Sequence, residues 1–183
     1  MKKITIGYTI GRFNPSHIGH ISMTNSMVKD NDFSLILVGS ANKQRTKKNP
    51  FTYAERAHLL TNLHPNTIVL PLNDFEDEKA WINEVDRKVK ETLSILNIEN
   101  KNVEINLYTG GAHKGEDQSL REMWCKPLGH NVIPVTLDTE LSATIIRDHF
   151  YKNEMDIIVD MLPKIVYDFL VDFIKHKDFH NIY

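Results

Sequence analysis

Five short apolar runs rich in β-branched residues recur along this chain, and each is followed by turn residues and a stretch of helical period. Parallel sheets produce this sequence pattern, because a crossover helix must connect each strand to the next and both faces of the sheet become buried. The predicted strands cover residues 4–9, 33–38, 67–70, 103–108 and 131–134. We therefore predict an α/β fold with a five-stranded parallel sheet flanked by helices.

The predicted helices divide the chain into an α/β core and a helical carboxyl-terminal segment. In the core, one helix is predicted from near His20 to about Lys29, another after the Thr-x-x-Glu capping box at Thr52, and a third with an apolar stripe that includes Trp81. Beyond the fifth strand only helices are predicted, over 143–150, 155–162 and 163–175. We expect a single domain over 1–183, with a core of 1–135 and a helical segment of 136–183.

Composition excludes several classes of function. The 22 basic and 24 acidic residues leave a formal net charge of -2, so no overall basic field would hold a nucleic acid. A single cysteine, Cys125, cannot form an internal disulfide, which suits a reducing cytoplasm. No run approaches the roughly 20 apolar residues of a membrane span. We expect a cytoplasmic protein with small-molecule partners, bound to neither nucleic acid nor membrane.

The segment GRFNPSHIGH, residues 11–20, follows the first predicted strand. Open parallel sheets bind ligands at the carboxyl ends of their strands, where helix amino termini present unpaired N–H groups. His17 and His20 are three residues apart and share one face if the helix has begun by His17. Two imidazoles there can hydrogen-bond phosphate oxygens and stabilise charge during phosphoryl transfer. In the alternative, one histidine caps the helix and the other packs.

The segment LSATIIRD, residues 141–148, carries a second pattern of polar residues. Ser142 and Thr144 are spaced to open a helix, and Arg147 lies one turn further on. Hydroxyls at a helix start can cap the helix or hydrogen-bond to phosphate. A guanidinium can bind the outer phosphates of a nucleotide with two hydrogen bonds. The alternative is a capped surface helix with an exposed arginine.

Together the two segments resemble the signatures of the nucleotidylyltransferases, an H-x-G-H after the first strand and a (Ser/Thr)-x-Thr-x-x-Arg near the carboxyl end. The resemblance implies a Rossmann-like nucleotidylyltransferase fold. Class I aminoacyl-tRNA synthetases share the first signature, but they are far longer and add a lysine-rich K-M-S-K-S type loop that this sequence lacks. The HIGH string therefore does not indicate a tRNA-charging enzyme.

Within that superfamily the chain is similar to the nicotinamide mononucleotide (NMN) adenylyltransferases of the archaeal type and of the bacterial bifunctional type. The resemblance is carried by GRFNPSHIGH, by GSANKQRTKKNPFTYAER, and by PLNDFEDEKAW with INEV after it. The segment YTGGAHKGEDQSLREMW is similar to a glycine- and lysine-containing loop of the bifunctional proteins. Those proteins add a Nudix hydrolase domain, which we do not expect within these 183 residues.

The resemblance implies that His17, His20 and Arg147 contact ATP phosphates and that Arg45 reaches phosphate across the site. A charge on a solvated loop is the alternative for Arg45. The remaining nucleotide contacts are expected from strand ends, loops and a helix start: Gly11, Arg12, Phe13, Asn14, Asn49, Gly110, Ser142 and Thr144.

The resemblance also implies a site for the nicotinamide ring. Trp81 would stack on the ring with Asp74 as a polar neighbour, although Trp81 shares a helical stripe with Val85 and fits a core role as well. The loop of residues 110–117, which includes His113 and Lys114, matches its family counterpart only loosely. No metal ligands are predicted from the protein.

The implied reaction joins ATP and NMN to give NAD and pyrophosphate, with Mg²⁺ bound together with ATP as the counterion of the triphosphate. A homo-oligomer is implied by the relatives. Nicotinic acid mononucleotide, phosphopantetheine or another phosphate remains an alternative acceptor. A non-catalytic nucleotide-binding sensor is the alternative from a different functional class.

Overall fold

The computed structural model of the chain describes residues 3–110, 123–136 and 141–182. Within them, one parallel sheet has the strand order β3-β2-β1-β4-β5. Its strands are β1 (Ile4–Gly11), β2 (Phe33–Val38), β3 (Ile68–Pro71), β4 (Val103–Gly110) and β5 (Asn131–Val135). The prediction of a five-stranded parallel sheet is confirmed, and the strand ends differ from the predicted ones by no more than two residues.

Helices flank the sheet and make up the carboxyl-terminal segment. Those with bounds inside the described ranges are α1 (Ile18–Asp30), α2 (Tyr53–Leu63), α3 (Glu78–Ile95), α4 (Ala143–Tyr151), α5 (Met155–Ile158), α6 (Lys164–Ile174) and α7 (Lys177–Ile182). Two single 3₁₀ turns cover Lys126–Leu128 and Val159–Met161. Helix α1 begins two residues before its predicted start, and α7 was not predicted. No helix in the described ranges combines the length and apolarity needed to cross a membrane.

The two faces of the sheet are buried against different helices because successive strand residues point to opposite faces. On one face, Leu35 and Leu37 of β2 pack with Val85 and Val89 of α3. On the other face, helices α1 and α2 cover the alternate residues of β2. The apolar cluster there includes Met27, Ile36, Val38 and Leu60. The apolar stripe predicted for α3 is therefore a packing surface, with Val85 and Val89 buried.

The strand order reverses between β1 and β4, because α1 and α2 lie on one face of the sheet and α3 on the other. Such a switch point opens a crevice at the carboxyl ends of the two strands. Gly11 ends β1 and Gly110 ends β4. The crevice therefore lies where GRFNPSHIGH begins.

The carboxyl-terminal helices pack beside α2 rather than forming a separate core. Their apolar cluster includes Ile146, Phe150 and Phe173 together with Phe51 from the loop after β2 and Leu59 of α2. The Phe51 and Phe173 rings lie 5.1 Å apart, edge to face. This packing holds α4 against the α/β part and brings its amino terminus to the crevice.

Candidate active site

His17 and His20 lie together at the start of α1. His17 is the N-cap of the helix, and its Nδ1 accepts the backbone N–H of His20 at 3.4 Å. The two imidazole rings stack with their centroids 3.8 Å apart, and the Phe13 ring lies 4.8 Å from that of His20. One histidine caps the helix, as the alternative interpretation supposed, yet both rings line the same cleft.

Burial keeps both imidazoles neutral near pH 7. It lowers the pKa of His17 to about 4, and it holds the pKa of His20 well below the usual value, with repulsion from His17 as a smaller cause. The Nδ1 atom of His20 is buried without a hydrogen-bond partner. The pair therefore offers neutral ring N–H groups to a phosphate rather than two positive charges.

Arg147 brings the carboxyl-terminal segment to the same place. Its guanidinium donates to the carbonyl oxygen of Asn14 at 2.8 Å and to the Thr144 hydroxyl at 3.1 Å. Ser142 is the N-cap of α4 and accepts the N–H of Ile145 at 3.4 Å. Burial, followed by repulsion from Arg12, lowers the pKa of Arg147. An exposed arginine, the alternative interpretation, is excluded because Arg147 is 6% exposed.

These residues line one cleft of about 400 Å³. The predicted residues among its walls come from both ends of the chain: Gly11, Arg12, Phe13, Asn14, His17, His20, Gly110, Ser142, Thr144 and Arg147. Further lining comes from neighbouring positions on the same elements: Ile10, Gly19, Met23, Leu141 and Ala143. The structure thus joins the two motifs, which are more than 100 residues apart in the chain.

The loop at residues 11–14 is fitted closely to its surroundings. A Cβ atom on Gly11 would lie 3.0 Å from the Phe13 ring, so a larger residue would displace that ring. The Nη1 atom of Arg12 is buried without a hydrogen-bond partner. Since Arg12 and Arg147 repel one another in the free protein, the cleft is prepared for an anion between its walls.

Asn49 supports this loop from behind. Asn14 is fully buried, donates to the Asn49 side chain at 3.4 Å and accepts the backbone N–H of Phe51 at 3.3 Å. Asn49 is buried and is not among the described residues that line the cleft. Its predicted nucleotide contact stays a prediction, while the contact in the structure is with Asn14.

Arg45 is engaged with the protein rather than with the cleft. Its guanidinium forms a two-point contact with Glu55 at 2.7 and 2.8 Å, an ion pair with Asp178 at 2.8 Å and a hydrogen bond to the Pro50 carbonyl at 2.9 Å. It also lies over the Phe173 ring, 5.0 Å from the centroid. With these contacts Arg45 is not a solvated loop charge, which was the alternative interpretation. Its predicted phosphate contact stays a prediction.

Arg56 is a residue of the site that the sequence interpretation missed. It is 1% exposed, and its guanidinium donates to the carbonyls of Arg12, Gly39 and Ser40 at 2.7, 2.8 and 3.1 Å. Burial lowers its pKa to about 10, so it stays charged at pH 7. Arg56 therefore ties the ends of β1 and β2 together under the cleft. Its sequence signal is its position directly after Glu55, the last residue of the capping box at Thr52.

A second cavity of about 410 Å³ opens beside the first, and Ile10 lines both. Trp81 and Trp124 stand edge to face in its wall, with ring centroids 5.2 Å apart. Tyr8 and Cys125 also line it, and the Tyr8 hydroxyl lies 3.0 Å from Nδ1 of His130. Trp81 is therefore a cavity wall as well as a neighbour of the α3 core.

Asp74, the other residue predicted for the nicotinamide ring, is not among the described residues that line the second cavity. Asp74 accepts from the Ser40 hydroxyl at 3.0 Å and pairs with Lys43 at 2.8 Å, outside the described lining, so its ligand contact stays a prediction. Trp124, the last residue of YTGGAHKGEDQSLREMW, is a wall residue of this cavity that the sequence did not predict. His113 and Lys114 lie outside the described residues.

A third, basic groove of about 390 Å³ adjoins the first cleft through Arg147. It is lined by Arg147, Asp148 and Tyr151 of α4 and by three lysines: Lys47, Lys48 and Lys152. The excess of positive charge makes this groove suitable for an extended anion such as a polyphosphate chain. The described residues contain no group of three or more His, Cys, Asp or Glu that could hold a metal ion.

Comparison with known proteins identifies relatives of the chain. The model of the cytidylyltransferase-like family matches residues 8–182. The nicotinamide-nucleotide adenylyltransferase of Methanolobus tindarius is 35% identical over 82 residues, which is 43% of this chain and 47% of that protein. The corresponding protein of Halorubrum lacusprofundi is 34% identical over 83 residues, with the same coverage. In these matches the alignment spans about half the length of each relative.

Solved structures show the same fold. A bifunctional NMN adenylyltransferase/ADP ribose pyrophosphatase from Francisella tularensis, complexed with AMP and a manganese ion, superimposes with a TM-score of 0.78 at 21% identity. The match covers 98% of this chain and 52% of that one. A second structure of the Francisella protein gives a TM-score of 0.80. With its two motifs joined in one cleft, this chain belongs to the cytidylyltransferase-like family.

Proposed function

We propose that the protein transfers the adenylyl group of ATP to NMN, giving NAD and pyrophosphate. The observation that carries this proposal is that His17, His20 and Arg147 line one cleft although they come from opposite ends of the chain. The second cavity, called the aromatic cavity from here on, is suited to a pyridine ring, since its wall contains Trp81 and Trp124. The names of the archaeal relatives support the same reaction.

The substrates are assigned to the cavities by their chemistry. The ATP phosphates lie between the histidine pair and Arg147, with Arg12 on the same wall. The outer phosphates extend into the basic groove beside Lys48 and Lys152. The pyridine ring of NMN enters the aromatic cavity. The acceptor phosphate then lies near Ile10, where the two cavities meet.

The reaction is an in-line displacement at the α-phosphorus of ATP. An oxygen of the NMN phosphate forms the new P–O bond, and the bond to the bridging oxygen of the β-phosphate breaks, so pyrophosphate leaves with the electron pair. The NMN phosphate is anionic at neutral pH, so no general base is required. Catalysis consists of positioning and of stabilising the charge that grows on phosphate oxygens. His17 and His20 donate neutral N–H groups, and Arg147 supplies positive charge.

The proposed metal is Mg²⁺ bound to the ATP phosphates rather than to a protein cluster. Mg²⁺ prefers oxygen ligands and is commonly bound through substrate phosphates, so the ATP phosphates would provide the principal ligands. When bound, the ion neutralises part of the triphosphate charge. Arg12 and Arg147 remain the protein's own contribution to that neutralisation.

A pyrophosphate-release assay tests the proposal. ATP and Mg²⁺ are supplied with NMN, nicotinic acid mononucleotide or phosphopantetheine as acceptor. We expect release with NMN, reduced about 10²–10³-fold in His20→Ala, because one transition-state hydrogen bond is lost. The melting temperature of the variant should change little. Nucleotide binding without release from any acceptor would contradict the proposal and support the sensor alternative.

We also propose that the protein acts in the cytoplasm and self-associates. A single, buried cysteine is consistent with a reducing compartment. Self-association is proposed from the resemblance to oligomeric relatives. Size-exclusion chromatography with light scattering tests it, and a sharp monomer peak would contradict it.

A further inference from the structure

The aromatic cavity combines two tryptophans with two carboxylates. Glu76 and Glu78 line it together with Trp81 and Trp124. Both carboxylates belong to exposed residues at the entrance. Among the described lining residues there is no lysine, arginine or histidine. A ligand that enters this cavity therefore meets negative charge and π-faces, both of which favour a cation.

The helix terminus at this cavity is already occupied by the protein's own acidic groups. Helix α3 begins at Glu78, and the N-cap carboxylate of Asp77 accepts the N–H of Ala80 at 2.8 Å. Glu78 adds a second negative charge in the first turn. A free helix amino terminus attracts anions. Here that attraction is satisfied internally and is not available to a carboxylate on a ligand.

Two described cations on neighbouring parts of the chain pair with other carboxylates. Lys43 pairs with Asp74 at 2.8 Å. Arg87, further along α3, pairs with Glu84 at 2.7 Å and with Glu91 at 3.3 Å. No ion pair between described residues includes Glu76 or Glu78. Lys79, which follows them, is outnumbered by Glu76, Asp77 and Glu78 and is not among the described lining residues, so the local charge at the cavity is negative.

We propose that Glu76 and Glu78 determine specificity by selecting the carboxamide mononucleotide over its acid. This inference rests on the proposed adenylyl transfer and identifies the residues that choose the acceptor. Both acceptors have a cationic pyridinium ring, but NMN carries an uncharged carboxamide where nicotinic acid mononucleotide carries a carboxylate. The acid therefore loses the net attraction and adds like-charge repulsion at the cavity entrance.

A competition assay tests the proposal. The protein receives ATP, Mg²⁺ and both mononucleotides at equal concentration, and the ratio of the two dinucleotide products gives the ratio of kcat/KM values. The shared phosphate and ribose cancel in this ratio. We expect the wild-type protein to favour NMN, and the ratio to fall about tenfold in Glu76→Gln/Glu78→Gln. The matched control is Glu99→Gln, an exposed carboxylate outside the cavity lining.

The dependence of the product ratio on salt distinguishes a charge effect from a structural role of the two carboxylates. Raising the ionic strength from about 0.1 M to 1 M shortens the screening length from about 10 Å to about 3 Å. The wild-type preference should decrease with salt, while that of the double variant should stay nearly constant. Equal use of both acceptors by the wild-type protein, or an unchanged ratio in the double variant, would overturn the proposal.

Tryptophan fluorescence separates this inference from the proposed reaction. The chain contains two tryptophans, and both line this cavity, so quenching reports its occupancy. We expect NMN to quench at lower concentration than the acid, and the difference to shrink in the double variant. If this difference in quenching is observed but no dinucleotide forms, adenylyl transfer is contradicted while the proposed preference of the cavity for NMN is supported. Turnover with equal quenching curves for both ligands would contradict the selectivity alone.

Discussion

The histidine pair shows how one residue can serve the fold and the chemistry together. His17 caps α1 through Nδ1, and this hydrogen bond holds its ring against that of His20. Since burial keeps both rings neutral, the pair can approach a polyphosphate without the cost of burying two charges. The two interpretations that the sequence left open, a cap and a phosphate contact, are thus compatible.

The lowered pKa of His17 predicts how stability depends on pH. In the folded protein it is about 4, against 6.5 for an unperturbed histidine, so the unfolded chain binds the proton more readily between these values. The contribution of His17 to the free energy of unfolding should therefore fall by about 3 kcal/mol as the pH drops from 6.5 to 4, and this contribution should level off below pH 4. Urea unfolding at pH 7, 6, 5 and 4 measures it.

His17→Asn is the matched control for this pH dependence. Asparagine is a good N-cap residue and does not titrate, so the helix start is kept while the proton site is lost. The unfolding curve of the variant should be flatter with pH than that of the wild-type protein. Parallel curves would show that His17 is not buried as the structure places it.

At the level of the elements, ion pairs and a capping box connect the loop between β2 and α2 to its neighbouring helices. Glu55 closes the capping box with the N–H of Thr52 at 2.7 Å and also accepts from Arg45. Arg45 then pairs with Asp178 of α7. The loop that carries Lys47 and Lys48 to the basic groove is thus tied to the last helix of the chain.

Arg45→Gln distinguishes this fastening role from a phosphate contact. We expect the free energy of unfolding to fall by about 1–2 kcal/mol, because a partly exposed charged network is lost. We expect kcat to fall less than tenfold, whereas loss of a phosphate contact would cost about 10²–10³. The control is Arg87→Gln, which removes an exposed helix pair and should change stability little. A large loss of kcat with unchanged stability would favour the predicted phosphate contact.

At the scale of the whole molecule, the carboxyl-terminal helices and the α/β part share one apolar cluster. Phe51 and Leu59 join residues of α4 through α7 in it. Phe179 of α7 is 7% exposed and lies 5.1 Å from the Phe150 ring. The Arg147 contact with Asn14 therefore depends on packing that the last helix helps to complete.

Phe179→Ala should consequently destabilise the entire protein. We expect a loss of about 3 kcal/mol, typical of a buried phenylalanine replaced by alanine. Circular dichroism and the fluorescence of Trp81 and Trp124 should report the same lowered midpoint, because the tryptophans lie in the cavity on the α3 face. Phe33→Ala, at a residue 36% exposed, should cost much less. Separate transitions for the two probes would mean that the two parts unfold independently.

The strands were predictable because their signal is local. The strand at 33–38 is apolar at every position except Ser34, since helices cover both faces of the sheet, and that pattern can be read from six consecutive residues. The capping box at Thr52 is equally local and is confirmed. Helix α7 was missed because six residues carry too little periodicity, and its stability comes from packing around Phe179.

Local patterns along the chain were enough to predict the fold class and the two motifs, because hydrophobic period and residue spacing are properties of neighbouring residues. The contacts between distant residues became visible only in the folded arrangement. It committed Arg45 to Glu55 and Asp178, placed Arg56 beneath the ends of β1 and β2, and set Trp124 across from Trp81. Except for Arg45 and Glu55, which are ten residues apart, these partners lie far apart in the chain, and they are selected by burial and charge pairing after the elements have packed.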